Sequence, residues 1–221
     1  MKKSFFLFGL VLFLFSACTS QKVFVQSGEG SQAGSKINGQ KVLLVISGQV
    51  QLTEFKKTFH SMFPREGDYQ ESLAKDLSEM LKRDFQVDAL NISQTNLPKE
   101  VDYLPKWIET NKAELKKEGI QSILFIDKLK VGSKTLTSTQ FNSAPAGTFG
   151  HGTTTTTTSE SALVEARMEI SLTEAGKNLT EFVVNASDAV VLFSYESALA
   201  GAIENLVKHT SGYLLLGKTK F

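Results

Sequence analysis

The sequence is poor in cysteine, and this scarcity excludes several classes of protein. It contains one cysteine among 221 residues, whereas a disulfide framework, a CxxC redox site and a cysteine-rich zinc site each require more than one. An excess of charge of one sign is also lacking, because 24 lysines and arginines nearly balance 23 aspartates and glutamates. Nucleic-acid-binding proteins usually carry a basic excess, so we expect no nucleic-acid partner.

Motifs for catalysis and metal binding are missing as well. The three histidines, His60, His151 and His209, form no HExxH or HxH pattern, so no metal site is expected. We expect His209 near the C-terminal end of the last helix, where a protonated imidazole interacts favourably with the helix dipole. The sequence has no GxSxG elbow, SxxK motif or glycine-rich phosphate loop, and Ser47-Gly48 after a predicted strand is interpreted as a turn. We therefore expect no enzyme and no cofactor. The sequence leaves open the alternative that the fold brings two carboxylates together as a catalytic pair.

The N-terminus has the three regions of a secretory signal peptide. Two lysines precede an apolar run over residues 5–15, and the small residues Ser16 and Ala17 follow it. As a helix this run would be only about 16 Å long, much shorter than the ~30 Å hydrocarbon core of a bilayer. Residues 1–17 are therefore predicted to be a cleaved signal peptide rather than a membrane span.

Residues 14–18, with the sequence Leu-Phe-Ser-Ala-Cys, resemble a bacterial lipobox, although Phe15 stands where leucine is commoner. The resemblance implies that cleavage leaves Cys18 at the N-terminus and that its sulfur carries a diacylglyceryl group, with palmitate among the acyl chains. Two or more acyl chains hold a protein firmly on a bilayer. Thr19, in place of aspartate, implies sorting to the outer membrane, with the domain facing the periplasm or exposed at the surface. The alternative is an ordinary secretory signal cleaved nearby, without lipid on Cys18.

Residues 18–40 are predicted to be the acylated cysteine followed by a flexible tether, and the apolar residues 23–25 leave open a short strand or docking on the domain. Residues 19–40 contain four glycines and four serines and few large apolar side chains. Such a segment buries too little surface to offset the entropy lost on ordering, and a flexible chain of this length reaches roughly 25 Å. Loss of Lys2 and Lys3 with the signal peptide changes the formal net charge from +1 to −1, so the mature protein is nearly neutral.

The remaining chain, residues 41–221, is predicted to form a single α/β domain with a mixed sheet. Continuous apolar runs are typical of strands buried on both faces, and apolar residues at helical spacing indicate amphipathic helices between them. Asp68 and Glu71 resemble a capping box at the start of the clearest helix. In the first half, the predicted strands are residues 42–46, 87–92 and 120–126, and the predicted helices are residues 53–63, 68–85 and 105–119.

Residues 133–173 are predicted to form a long, threonine-rich β-hairpin. Ten threonines lie in residues 133–161, six of them consecutive, and side chains branched at Cβ favour extended backbone. Apolar and polar residues then alternate over residues 164–172, which indicates a strand with one buried face, and residues 179–184 form the return strand. A last helix, beginning at Ser194, completes the order β-α-β-α-β-β-β-α.

This order of elements resembles small α/β domains of bacterial envelope lipoproteins. Examples are the curli-secretion lipoprotein, the amino-terminal domain of TolB and the lipoproteins that activate penicillin-binding proteins. The resemblance spans residues 41–210 and consists of element order alone, so no functional residue is transferred from it.

The segment 141–159 is the feature most informative about function. Threonine hydroxyls donate and accept hydrogen bonds while their methyl groups pack, so a row of threonines makes an adaptable strand edge. We predict an assembly, scaffolding or accessory role at the outer membrane through protein–protein binding. Whether the hairpin also forms homo-oligomers is left open by the sequence. The alternatives are a mobile hairpin tip without function and a binding module for a glycan or small envelope molecule, such as peptidoglycan or lipopolysaccharide. The predicted partner-binding residues are Phe141, Phe149, Thr153, Thr155 and Thr157.

Overall fold

The computed structural model describes residues 22–28, 30–142, 153–174 and 177–221. These residues form one mixed sheet of seven strands with five helices, which confirms the predicted α/β fold class. The strands are β1 (Lys22–Gly28), β2 (Lys41–Ile46), β3 (Val50–Leu52), β4 (Asp88–Asn91), β5 (Ser122–Asn142), β6 (Thr153–Leu172) and β7 (Lys177–Ala189). The helices are α1 (Gly30–Ile37), α2 (Lys56–Met62), α3 (Asp68–Phe85), α4 (Leu104–Lys117) and α5 (Tyr195–Leu216).

The sheet has a parallel half and an antiparallel half. Its strand order is β1-β7-β6-β5-β2-β4, and β3 pairs with β5 beyond the end of β2. β2 lies parallel to β4 and β5, and β3 lies parallel to β5. β5, β6, β7 and β1 form successive antiparallel pairs. The parallel half therefore comes from alternating strands and helices, and the antiparallel half comes from the predicted hairpin and its return strand.

Two apolar cores lie on opposite faces of the sheet. The larger core packs α1, α3 and α5 against alternate residues of the strands, including Val164 and Met168. The smaller core holds α4 against the parallel half. β2 contributes Val42 and Leu44 to the larger core and Leu43 to the smaller one, which explains why its sequence is apolar at successive positions. Among the described residues, no helix combines the length and the apolar character needed to cross a membrane.

Residues 22–28 and 30–40 are folded, so the prediction of a flexible tether for them is wrong. β1 adds an antiparallel edge strand to β7, and α1 buries Ala33 and Ile37 in the larger core. Backbone hydrogen bonds to β7 supply the stabilisation that the few apolar side chains of this segment lack. Its glycines permit close contacts, since a Cβ atom on Gly34 would lie 2.4 Å from the carbonyl oxygen of Leu214.

The helix starts follow the predicted signals in part. α4 begins one residue before Pro105, as expected for a proline in the first turn. α3, in contrast, has Gly67 as its N-cap and no side-chain cap. The Asp68 carboxylate instead accepts the backbone N–H of Arg65 at 2.9 Å. The predicted capping box of Asp68 and Glu71 is therefore wrong, because Asp68 is already the first residue of the helix.

His209 lies in the interior of the protein rather than at a helix end. α5 continues to Leu216, about two turns beyond His209. His209 is only 3% exposed, and its imidazole ring stacks on the ring of Phe221 with centroids 4.2 Å apart. Burial lowers the pKa of His209 to about 4, with smaller contributions from the charges of Lys208 and Lys218. The predicted helix-dipole role is therefore wrong, because the buried imidazole is neutral at pH 7.

We expect His209 to make the domain less stable as the pH falls from about 6.5 to about 4. The unfolded chain takes up a proton at the ordinary pKa of 6.5, whereas the folded chain resists protonation until about pH 4. A pKa difference of this size corresponds to roughly 3 kcal/mol of unfolding free energy lost at the acid end. His209→Gln should therefore flatten this part of the pH profile measured by urea unfolding.

The matched control is His60→Gln, on the exposed side of α2. This variant retains His209, so it should keep the loss of stability between about pH 6.5 and pH 4. A His209→Gln protein that loses stability as steeply as the wild type would contradict the assignment.

Candidate functional site

β5 and β6 extend beyond the other strands of the sheet. On one side, β3 accompanies β5 only as far as Val131. On the other side, the last pair between β7 and β6 joins Ala189 to Ser161, and the Val190 N–H donates to the Glu160 carbonyl at 2.9 Å. Past these residues, the described parts of β5 and β6 pair only with each other.

We call this projecting ribbon, residues 135–142 and 153–160, the arm. Its eight cross-strand pairs end with Asn142 opposite Thr153, and they span about 24 Å along the strands. An isolated two-stranded ribbon is only marginally stable in water. A partner that covers the arm or adds a strand to it would therefore stabilise it.

The arm carries no charged side chain apart from Glu160 at its base. Residues 135–159 contain no lysine, arginine, aspartate or glutamate, although these four types make up 21% of the chain. Threonines face each other across the two strands, as in the pair of Thr137 and Thr158. Each threonine offers a hydroxyl and a methyl group, so this surface can form hydrogen bonds without the cost of desolvating a charge.

Both long edges of the arm are unprotected against pairing with another chain. Natural edge strands usually carry a lysine, a proline or a β-bulge that prevents such pairing. Residues 135–142 and 153–159 contain no lysine or proline, and the bulge in the β5–β6 ladder lies far from the arm, between Ile126 and Lys128. The arm thus has the features that favour addition of a strand from a partner.

An exposed apolar loop, residues 191–193, lies at the base of the arm. The exposed fractions of Val191, Leu192 and Phe193 are 62%, 92% and 86%. Leu192 and Phe193 also have positive φ values of 51° and 61°, a left-handed conformation that is unfavourable for bulky side chains. Exposed apolar side chains on a strained backbone add little to folding, which makes this apolar loop a candidate binding surface.

A depression of about 430 Å³ opens beside the apolar loop. Phe55 and Tyr195 meet edge to face there, with ring centroids 5.6 Å apart. The Ser61 hydroxyl donates to the Glu196 carboxylate at 2.9 Å, and this bond joins α2 to α5 next to the depression. The lining residues are Thr53, Glu54, Phe55, Lys56, Lys57, Thr58, Glu160 and Tyr195. The depression thus combines aromatic rings with charged and hydroxyl-bearing side chains.

The open face of the antiparallel half is less suited to binding a partner. Several of its charged side chains already form ion pairs: Arg167 pairs with Glu181 and Asp127, and Lys130 pairs with Glu165. A partner that covered this face would have to desolvate these ion pairs, which offsets much of the gain from contact. The arm and the apolar loop carry no such cost.

The structure locates the predicted binding residues only in part. Thr157 is exposed on the arm. The backbones of Phe141, Thr153 and Thr155 belong to the paired strands of the arm, and their side chains lie outside the described part. Cys18 and Phe149 lie outside the described residues.

Residues considered for catalysis or metal binding lie apart in the described chain. Within it, no group of three His, Cys, Asp or Glu side chains is placed to hold a metal ion. His60 is exposed on α2 and His209 is buried, while His151 lies outside the described residues. The Ser47 hydroxyl accepts the backbone N–H of Gln49 at 3.1 Å. Ser47 therefore stabilises the turn between β2 and β3, in agreement with its interpretation as a turn residue.

The apolar loop is the feature that the sequence analysis missed. Residues 190–193 are four consecutive apolar residues, and they look like a continuation of the apolar pattern of β7. A signal is nevertheless present, because a strand with one buried face alternates and this run does not. Its position directly before Ser194, the N-cap of α5, also leaves no room for a further strand.

No family model and no curated protein matches this chain. Solved structures with a similar backbone include the PelC dodecamer from Paraburkholderia phytofirmans, which is 13% identical, covers 89% of this chain and 97% of its own, and gives a TM-score of 0.44. A neuraminyllactose-binding hemagglutinin homolog from Helicobacter pylori is 11% identical, with coverages of 86% and 88% and a TM-score of 0.40. The hypothetical protein CT253 from Chlamydia trachomatis is 9% identical, with coverages of 79% and 98% and a TM-score of 0.39.

These likenesses are too weak to carry a functional argument. The three proteins are also not the envelope lipoprotein domains whose element order this chain resembles, so that resemblance stays a prediction. The arm, the apolar loop and the depression are the described features that bear on function.

We expect relief of the strained backbone in the apolar loop to stabilise the protein. Leu192→Asn and Phe193→Asn each introduce a residue that tolerates positive φ, and neither removes a buried side chain. Each should raise the free energy of unfolding in urea by roughly 0.5–1 kcal/mol.

The matched control is Gln86→Asn, at the positive φ of 53° that follows α3. It should give a similar gain in stability and leave partner binding intact. If instead the two loop variants lose stability, the apolar loop is part of the fold and is not free for binding.

Proposed function

We propose that this protein is a bacterial envelope lipoprotein that binds other proteins through its arm and apolar loop, in an assembly, scaffolding or accessory role. The observation that carries the proposal is a projecting, uncharged and unprotected ribbon with exposed apolar residues at its base. Both features are unfavourable in a free monomer, and both become favourable when a partner covers them.

The proposed anchor is an acylated Cys18 at the end of the lipobox-like segment. In an exported chain, a lone cysteine is otherwise an unexplained thiol. Two or more acyl chains on this residue hold the protein on the outer membrane without any membrane-spanning segment.

The proposed binding mode is the addition of a strand to one edge of the arm. Main-chain hydrogen bonds then supply affinity, and the threonine side chains supply contacts on each face. A second copy of the same chain is the simplest partner, because two uncharged arms meet without repulsion and each offers two free edges. Homo-oligomers formed through the arm are thus part of the proposal.

The anchor is tested by substitution of the cysteine. Wild-type protein expressed in a bacterial host should incorporate labelled palmitate and lose residues 1–17, whereas Cys18→Ala should incorporate none and keep its signal peptide. Metabolic labelling and mass spectrometry of the N-terminus check both outcomes. An unmodified N-terminus on the mature wild-type chain would contradict the anchor.

The arm is tested by placing charges on facing residues. In the double variant Thr139→Lys and Thr156→Glu, opposite charges face each other, so the ribbon is retained while its surface becomes charged. Capture of crosslinked partners or of a second copy from detergent-solubilised envelopes should fall about tenfold or more. Thr110→Lys, on the exposed side of α4, is the matched control and should capture as the wild type does. Repeated capture of no protein by the wild type would contradict the proposal.

The depression beside the apolar loop favours a second candidate function, the binding of a glycan or small envelope molecule. The rings of Phe55 and Tyr195 lie beside Lys56 and Lys57, a combination that suits sugars bearing anionic groups. Saturable binding of peptidoglycan fragments or lipopolysaccharide, lost on Tyr195→Ala or on deletion of residues 141–159, would support this function over protein binding.

A further inference from the structure

We infer that the end of the sheet bearing the arm and the apolar loop rests on the surface of the bilayer that holds the anchor. The inference rests on the proposed acylation of Cys18 and extends it to the orientation of the domain. Three observations carry it: the length of chain after Cys18, the position of β1 in the sheet, and the chemistry of the apolar loop.

The first observation is the short chain between the anchor and the sheet. β1 begins at Lys22, which leaves Thr19, Ser20 and Gln21 between the sheet and Cys18. Four residue steps span at most about 14 Å when fully extended. The folded domain is therefore held next to the bilayer, without the long tether that the glycines and serines of this region suggest.

The second observation is that the anchor lies at the end of the sheet where β7 finishes. β1 runs antiparallel to β7, and Lys22 lies opposite Asn185. β1 therefore starts toward the end of the sheet at which β7 finishes, at Ala189. Asn185 and Ala189 are also four residue steps apart, so a fully extended linker from Lys22 reaches no further than the level of Ala189. The anchor thus keeps this end of the sheet against the lipid.

The third observation is the chemistry of this end of the sheet. The apolar loop follows β7 directly, with Leu192 and Phe193 almost fully exposed. Leucine and phenylalanine side chains enter the boundary between lipid headgroups and acyl chains. Lys22 and Lys220, which are joined by a backbone bridge, place two positive charges beside the start of β1, where they complement lipid phosphates.

The arm projects from the same end of the sheet at which β1 begins. Beyond the pair of Ala189 and Ser161, it continues for about 24 Å past the end of β7. Charged side chains would oppose its approach to lipid, and residues 135–159 contain none. Because the anchor reaches no further than the level of Ala189, the strands must incline to the bilayer so that the arm lies along its surface. A second anchored copy is confined to the same surface.

The test uses the acylated protein reconstituted into vesicles of phosphatidylethanolamine and phosphatidylglycerol. Because acylation blocks the sulfur of Cys18, the new thiol of Leu192→Cys can be labelled selectively with an environment-sensitive fluorophore. The matched control is Asn38→Cys, in the exposed turn between α1 and β2 at the opposite end of the sheet. Lipids brominated in their acyl chains quench only a fluorophore that reaches the bilayer.

We expect brominated lipid to quench the label at position 192 about twofold or more and intact lipid to shift its emission to the blue, because the loop enters the interface. The label at position 38 should show neither change. Equal and weak quenching at both positions would overturn the inference. Protection of position 192 only after addition of envelope proteins, or only at high protein density on the vesicles, would also overturn it in favour of a protein partner or a second copy.

Mass spectrometry of the same preparation measures acylation independently of the label. An acylated, vesicle-bound protein with an unquenched label at position 192 overturns the inference and leaves the proposed anchor intact. A chain that carries no acyl groups and does not sediment with vesicles overturns both.

Discussion

The hydrogen-bond ladder between β5 and β6 is the interaction on which the rest of the structure depends. It joins twenty residue pairs, from Ser122 and Leu172 to Asn142 and Thr153. In the sheet, α1, α3 and α5 cover one face of this ladder, and apolar packing stabilises the residues that point to that face. In the arm, the described pairs have no further strand beside them. One continuous ladder thus connects a strand pair packed in the core with a ribbon that has no further strand beside it in the described chain.

The parts of the fold with strong periodic patterns could be predicted from the sequence. The apolar run of β2, the alternation of β6 and the amphipathic pattern of α3 each reflect contacts that local spacing encodes. β1 and α1 could not be predicted in this way, because Lys22 finds its partner at Asn185 and Gly34 packs against Leu214. Local composition indicates whether a segment can fold alone, and these segments fold onto a sheet that the rest of the chain provides.

The candidate site was predictable to a smaller extent. The threonine run identified the arm, because branched side chains favour extended backbone wherever they lie. The apolar loop and the environment of His209 depend on where β7 and α5 end, and sequence patterns define element ends poorly. In the apolar loop, Leu192 and Phe193 also have positive φ values, although bulky side chains disfavour this backbone conformation. Such conflicts are expected where a surface is shaped for binding rather than for stability.

The pairing of β1 also connects the beginning of the described chain to its end. The Val23 N–H donates to the carbonyl of Thr219 at 3.0 Å, while the other edge of the strand pairs with β7. A ribosome makes the chain from its N-terminus, so this strand is among the earliest segments to be synthesised, and the start of its outer edge is covered only when the last residues are made. Coverage of the start of β1 is thereby linked to synthesis of the whole chain, and a product truncated before Thr219 exposes this start to proteases and chaperones.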